Sequence, residues 1–149
     1  MVILNRLPTK DRLIRFGLEM DNGCIMCGNG LETRDHLFAN CSFAKEVWDA
    51  VLVVCGIRSG LYNWDERMDW LVENLRGKSP RVRFLKLAWT VYLYHIWEER
   101  NHRVFRRVSR SVDAVVTKIK ETVHYKLYRH STHRRDDVYR HLYMSWGLI

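Results

Sequence analysis

The stretch CIMCGNGLETRDHLFANC (residues 24–41) decides the architecture predicted for this chain. Its cysteines and its histidine are spaced C-x2-C-x8-H-x4-C. A tight turn can bring the two closely spaced cysteines onto one ion, and the later histidine and cysteine can complete the tetrahedron typical of structural zinc. The stretch therefore predicts a closed zinc site that stabilises the fold and leaves no position for a substrate. Its predicted ligands are Cys24, Cys27, His36 and Cys41.

The same cysteines admit a second interpretation. A C-x2-C pair can also form a redox disulfide, or its thiols can remain without a metal. The start of the chain, MVILNRLPTK, has an apolar run of only four residues, which is too short for a signal peptide. We therefore expect an intracellular location, where thiols stay reduced, and this favours zinc. The remaining cysteine, Cys55, is predicted to be a core residue because it lies at the far end of the next helix.

The composition is that of an ordinary globular chain of 149 residues, but its charge is unevenly distributed. Residues 1–60 and 61–99 are each neutral, whereas residues 100–149 carry 12 Lys or Arg against 4 Asp or Glu and hold the whole net charge of +8. A localised positive surface attracts phosphate backbones, although a solvated basic face that only maintains solubility explains the charge equally well. No run of 18 apolar residues exists, so no membrane partner is expected.

Capping residues and apolar periodicity predict the helices. Thr9 and Gly17 bound a short first helix, and its Leu13 and Phe16 are expected to pack against the zinc loop. Further helices are predicted over residues 43–54, over residues 64–76, from residue 80 through the apolar run FLKLAWTVYLYHIW (residues 84–97), and over residues 112–129.

These elements together predict an all-α fold. A zinc-clipped N-terminal loop, with or without a short hairpin, is followed by a bundle of five or six helices. The sixth helix would lie near the C-terminus, and one apolar face of it could be formed by Tyr139, Leu142, Tyr143 and Trp146. Residues 1–60 are predicted to form the zinc-binding module, and residues 61–149 a helical region with a basic C-terminal third. The two are expected to pack as one unit.

Several segments, taken in chain order, carry a family resemblance: LPTKDRLIRFG (residues 7–17), CIMC (24–27), ETRDHLFANC (32–41), and then Ala44 and Trp48. Over about residues 5–55 they resemble the reverse transcriptase zinc-binding domain of plant LINE-type (non-LTR) retrotransposons. The segment IWEERNHRVF (residues 96–105) is similar to what often follows this domain in retrotransposon-derived plant proteins. The resemblance implies Zn²⁺ as cofactor, the same four ligands, retroelement RNA or DNA as the original partner, and a reverse transcriptase neighbour that these residues do not contain.

No catalytic motif is recognisable in the sequence. It contains no G-x-S-x-G, no H-E-x-x-H, no phosphate-binding loop and no YxDD-type pair of aspartates. We therefore predict a non-enzymatic accessory module. It is expected to bind nucleic acid and to have no small-molecule substrate. Its phosphate-facing residues are predicted to be Arg100, Arg103, Arg106, Arg107 and Arg110.

Two alternatives to nucleic-acid binding remain open. The chain could be a protein-interaction or structural module, because the aromatic residues between positions 89 and 97 could contact a neighbouring domain. It could also be a non-functional retroelement remnant that does not fold stably.

Overall fold

A computed structural model of the chain describes residues 5–58 and 63–130. Within those ranges the chain is helical and contains no strand beyond one isolated bridge, so the all-α prediction is confirmed. The elements are α1 (Lys10–Arg15), a first π-helical turn (His36–Asn40), α2 (Ser42–Val54), α3 (Trp64–Asn74), α4 (Pro80–Asn101), a second π-helical turn (His102–Arg106) and α5 (Val112–His130). None of the described helices is both long and apolar enough to span a membrane.

Side-chain caps explain where α3 and α4 begin. Asn63 and Glu66 form a reciprocal capping box at the start of α3, in which each side chain accepts the other residue's backbone N–H. The Ser79 hydroxyl accepts the backbone N–H of Val82 at 3.3 Å, and Pro80 occupies the first turn, where its missing N–H does no harm. Both helices therefore start where the sequence predicts.

The longest helices, α4 and α5, pack antiparallel to each other. His95 Nε2 in α4 lies 2.8 Å from Thr122 Oγ1 in α5. In the connection between the helices, Arg103 Nη2 donates to the Arg110 carbonyl at 3.0 Å. Residues later in α4 therefore meet residues earlier in α5, as in an antiparallel pair. The apolar stripe of α5 faces the core through Val115, Val116, Ile119 and Val123, all of which are buried. The predicted sixth helix, with Tyr139, Leu142, Tyr143 and Trp146, lies outside the described residues.

An aromatic cluster holds α2 against α4. The ring of Trp48 lies 5.1 Å from the ring of Trp89 and 5.0 Å from that of Tyr92, measured between centroids. All three side chains are buried, and each large apolar side chain removed from water contributes about 1.5–3 kcal/mol. The helical body is therefore stabilised by apolar packing that requires no metal.

The first helix departs from its prediction at its C-terminal end. Leu13 is partly buried, but Phe16 is 74% exposed. The reason is that α1 ends at Arg15, and the backbone turns at Gly17 with a φ of +93°. Phe16 lies beyond the last helical turn, so the expectation that it packs against the zinc loop is wrong.

Candidate metal centre

The four predicted ligands come together in space. Their donor atoms all lie within 4.8 Å of one another, and within the described part of the chain this is the one group of His, Cys, Asp or Glu side chains able to hold a metal ion. The Sγ atoms of Cys24 and Cys41 are 3.9 Å apart, and Cys27 Sγ is 3.3 Å from His36 Nε2. A tetrahedral zinc ion places two sulfur ligands about 3.8 Å apart and a sulfur and a nitrogen about 3.6 Å apart. Donor types and separations both fit Zn²⁺.

The first half-site (residues 24–30) is a tight turn that directs backbone amides toward sulfur. The backbone N–H of Gly28 donates to the Cys24 carbonyl at 2.9 Å, which closes the turn between the two cysteines. The backbone N–H of Asn29 donates to Cys27 Sγ at 3.4 Å. Gly28 has a φ of +72°, a conformation that glycine adopts without strain. The local sequence therefore presents both sulfurs on the same side.

A short hairpin then carries the chain toward the second half-site. Gly23 and Leu31 form an isolated antiparallel bridge, and the Cys24 N–H donates to the Gly30 carbonyl at 3.0 Å. Gly30 has a φ of +86°, and a Cβ placed on it would lie 3.1 Å from Cε1 of the His36 ring. Glycine at this position lets the backbone approach the imidazole closely.

The second half-site (residues 36–41) is a π-helical turn embedded in the core. The Cys41 N–H donates to the His36 carbonyl at 2.6 Å, which closes the wide turn and brings the two ligands at its ends close together. The carbonyl of Phe38 accepts from the Tyr92 hydroxyl at 2.7 Å and from Arg67 Nη1 at 2.6 Å. Burial raises the pKa of Tyr92 to about 12, so the hydroxyl keeps its proton and remains a donor.

A buried ion pair ties the segment between the half-sites to α4. Glu32 is fully buried, and its carboxylate accepts from Arg100 Nη2 at 2.7 Å and from Arg100 Nε at 3.0 Å. The backbone N–H of Lys10, at the start of α1, donates to the same carboxylate at 2.9 Å. One acidic side chain therefore joins α1, the metal-binding stretch and the long helix.

A second buried carboxylate, Glu99, orients an arginine toward the first half-site. Arg103 Nε and Arg110 Nε donate to Glu99 at 3.0 and 2.8 Å. Burial alone would raise the pKa of Glu99, but the hydrogen bonds from Arg110 and Arg103 outweigh it and hold the pKa below its usual value. Arg103 Nη1 then reaches the carbonyls of Met26 at 3.1 Å and Ile25 at 3.4 Å, between the two cysteines. The second π-helical turn, directly after α4, thus holds the C-x2-C turn.

The predicted phosphate-facing arginines divide into two groups. Arg100, Arg103 and Arg110 point inward, in contrast to the prediction, because the buried carboxylates of Glu32 and Glu99 require cationic partners. Arg100 is only 3% exposed and has no access to a phosphate in this conformation.

Arg106 and Arg107 form the second group. Both side chains are exposed, and neither has an acidic partner among the residues that the structure describes. They lie three and four positions after Arg103, whose guanidinium contacts the first half-site.

The Sγ atoms of Cys24 and Cys41, 3.9 Å apart, are within hydrogen-bonding distance of each other. The hydrogen bond from Cys41 lowers the pKa of the Cys24 thiol to about 5, and the same bond together with burial raises the pKa of Cys41. Metal binding requires deprotonated thiols, so zinc and protons compete for this pair. When bound, Zn²⁺ supplies the positive charge that stabilises these sulfurs as thiolates.

The sequence predicts that Cys55 lies outside the metal site, but it does not predict the polar contacts that support the metal site. Cys55 is half-buried at the edge of the core and does not belong to the ligand group. The spacing of Glu99 and Arg103, four positions apart across the end of α4, is a local signal that could have identified their ion pair. The Glu32–Arg100 pair spans 68 positions, and no local pattern predicts it.

The comparisons with known proteins concern the N-terminal third of the chain. No curated protein and no solved structure matches the chain. A family model described as zinc-binding in reverse transcriptase matches residues 1–48, a range that contains α1, both half-sites and the first part of α2. This part of the chain therefore matches a reverse transcriptase-associated zinc-binding domain, and its Cys/His cluster is compatible with Zn²⁺.

Proposed function

We propose that this chain is a non-catalytic accessory module, derived from a plant LINE-type retrotransposon, that binds nucleic acid. Zinc held by Cys24, Cys27, His36 and Cys41 fixes the N-terminal loop against the helical body. Support comes from the family match and from the donor set, because three thiolates and one imidazole fill a tetrahedral ion and leave no open position for catalysis.

The observation that carries the nucleic-acid proposal is the basic turn after α4. Arg106 and Arg107 are exposed, unpaired within the described residues, and belong to the third of the chain that holds the whole net charge of +8. Arg107 has a left-handed backbone with a φ of +52°, which ends the π-helical turn before α5 begins. A phosphate backbone neutralises such cations and releases counterions, and this provides the binding free energy.

Salt-dependent binding to labelled oligonucleotides tests the proposal. Fluorescence anisotropy with a 20-nucleotide single strand should give an affinity that falls linearly with salt on a double-logarithmic plot. The double variant Arg106→Gln/Arg107→Gln should reduce that slope by about 1.4, because each single-strand phosphate contact contributes about 0.7. The matched control is Arg81→Gln/Arg83→Gln, which removes the same charge from exposed positions at the other end of α4.

Two results would contradict the proposal. The first is wild-type protein that binds weakly and without salt dependence. The second is an equal reduction of the slope by both double variants, since only net charge would then matter and the basic turn would have no special role.

A second candidate function, contact with another protein, is favoured by the apolar surface around α1 and the hairpin. Phe16, Leu18, Met20 and Leu31 are 74%, 51%, 40% and 57% exposed. Exposed apolar groups collected in one region mark interaction surfaces. The aromatic residues of α4 support this function less than expected, because Trp89 and Tyr92 are buried in the chain's own core.

Size-exclusion chromatography with light scattering separates the two functions. A protein-contact surface should give self-association, or binding of an added partner, that resists high salt and is abolished by Phe16→Ser/Leu18→Ser. If nucleic-acid binding is the function, the same double variant should leave the affinity for oligonucleotides unchanged.

A further inference from the structure

One face of α4 and the π-helical turn that follows it forms a hollow of about 370 Å³. We call it the aromatic hollow, and its lining residues are Tyr94, Trp97, Glu98, Asn101, His102, Phe105 and Arg106. Tyr94 and Phe105 are 64% and 75% exposed. They are eleven positions apart, which corresponds to about 16 Å along the axis at the rise of an α-helix. Two largely solvated rings therefore lie at the two ends of one surface hollow.

The backbone at one end of the aromatic hollow is unusual. Phe105 and Arg106 lie in the π-helical turn, and such turns are rare and recur at functional sites. The next residue, Arg107, has a φ of +52°, which is uncommon for a residue with a side chain. The Val108 N–H donates to the His102 carbonyl at 3.3 Å and closes this region. An uncommon backbone conformation therefore lies beside the exposed ring of Phe105.

The aromatic hollow combines exposed rings with one exposed cation, and its one carboxylate has histidine partners. Glu98 is the one carboxylate in the lining, and its two oxygens face His95 Nδ1 at 3.0 Å and His102 Nε2 at 3.7 Å. The exposed guanidinium of Arg106 lies in the lining, with that of Arg107 next in the chain. Aromatic faces stack on any nucleobase, and arginine binds phosphate.

We infer that the aromatic hollow binds unpaired bases of single-stranded nucleic acid. Tyr94 and Phe105 stack on bases, and Arg106 pairs with the adjoining phosphate. A duplex keeps its bases stacked on one another, so it can use the arginine but not the rings. The inference rests on the proposed nucleic-acid function. It adds that the bound nucleic acid is single-stranded, and it names the residues that contact the bases.

Alanine substitution of the two exposed rings tests the inference, and the chain offers closely matched controls. Phe105→Ala is compared with Phe16→Ala, since the two rings are 75% and 74% exposed, and Tyr94→Ala with Tyr125→Ala, at 64% and 62%. All four side chains are largely solvated, so the fold should tolerate each change. Anisotropy is measured for the full zinc-loaded chain with a 20-nucleotide single strand and with a duplex of the same length.

The expected result is preferential loss of single-strand binding. Phe105→Ala and Tyr94→Ala should each weaken binding of the single strand about fivefold or more, the effect of losing one base–aromatic stack, and should change duplex binding little. Phe16→Ala and Tyr125→Ala should match wild type on both ligands.

The contrary outcomes distinguish this inference from the proposed function. If wild type binds with the expected salt dependence but Phe105→Ala and Tyr94→Ala behave like their controls, the aromatic hollow is not the base site and the function stands. If no oligonucleotide binds, both fail. If Phe105→Ala changes only self-association, the hollow is a protein-contact surface and the inference is wrong.

Discussion

The two halves of the metal centre are held by different means. The first half-site lies at the rim, where Gly28, Asn29 and Gly30 are exposed and Cys27 is only partly buried. It is connected to the rest of the chain by the buried side chains of Cys24 and Met26, by backbone hydrogen bonds of the hairpin and by the guanidinium of Arg103. In the second half-site, by contrast, Leu37, Phe38, Ala39 and Cys41 are completely buried in the core.

This contrast assigns zinc a particular role. The second half-site is shaped by core packing and by hydrogen bonds from Tyr92 and Arg67 to the Phe38 carbonyl, none of which depends on metal. In the first half-site only Cys24 and Met26 are buried, and the rest of its turn is exposed or partly buried, so its conformation needs the ion. Zinc therefore attaches the weakly held first half-site to the preformed second half-site. Loss of zinc should mainly destabilise the first half-site.

Removal of zinc should have the largest effect and tests the contrast as a whole. Structural zinc contributes an apparent binding free energy of about 10–16 kcal/mol in small zinc fingers. Hydrogen exchange should therefore show loss of protection over residues 10–31 after chelation, while α2, α4 and α5 retain theirs. Cooperative loss of protection throughout the chain would show that the second half-site also depends on the ion.

Breaking the Glu32–Arg100 pair should have the next largest effect. Glu32→Ala leaves a buried guanidinium without its partner and should lower the free energy of unfolding by about 3–5 kcal/mol. The double variant Glu32→Leu/Arg100→Met removes both charges and should lose much less. Urea unfolding of the zinc-loaded proteins measures both values. Equal losses in the single and double variants would mean that the ion pair is not what joins the metal-binding stretch to α4.

Arg103→Met should weaken zinc binding with a smaller effect on stability. Arg103 donates to the carbonyls of Ile25 and Met26, and loss of a group that positions metal ligands typically reduces metal affinity 10–100-fold. Competition with a chromophoric chelator measures this affinity. Arg110→Met is the control, since it removes the other ion pair of Glu99 without touching the turn. If both variants lose zinc affinity equally, the contacts to the turn do not matter.

The substitution Gly30→Ala should have the smallest effect. Comparison with Gly28→Ala separates the cost of the backbone conformation from that of the contact with His36. Both positions have positive φ, so each substitution should cost about 1–2 kcal/mol of stability. Only at Gly30 does the new Cβ approach the His36 ring, at 3.1 Å, whereas at Gly28 nothing lies within 4 Å. Chelator competition should show the weaker zinc affinity for Gly30→Ala. The reverse order would mean that His36 is not held by this close approach.

Local chemistry allowed the sequence to predict the helix starts and the grouping of the ligands. The caps at Asn63 and Ser79, the turn glycines and the cysteine spacing act over a few residues, and the structure bears them out. The assignment of these residues as ligands stays a prediction until metal is measured. The boundary at residue 60 between zinc module and helical region also remains a prediction.

What the sequence could not predict depends on long-range pairing. The charge excess suggested an arginine surface, yet Arg100 and Arg103 are directed inward by carboxylates and carbonyls brought to them by folding. The exposure of Phe16 depends likewise on how the chain leaves α1. A charge count identifies a basic region, but only the positions of Glu32 and Glu99 decide which of its cations remain available.

The zinc content of the purified, reduced protein tests the central claim most directly. Elemental analysis of protein expressed without added zinc should find one zinc ion per chain in the wild type and in Cys55→Ser, and none in His36→Ala. A wild type without stoichiometric metal, or a His36→Ala variant that keeps its zinc, would contradict the account.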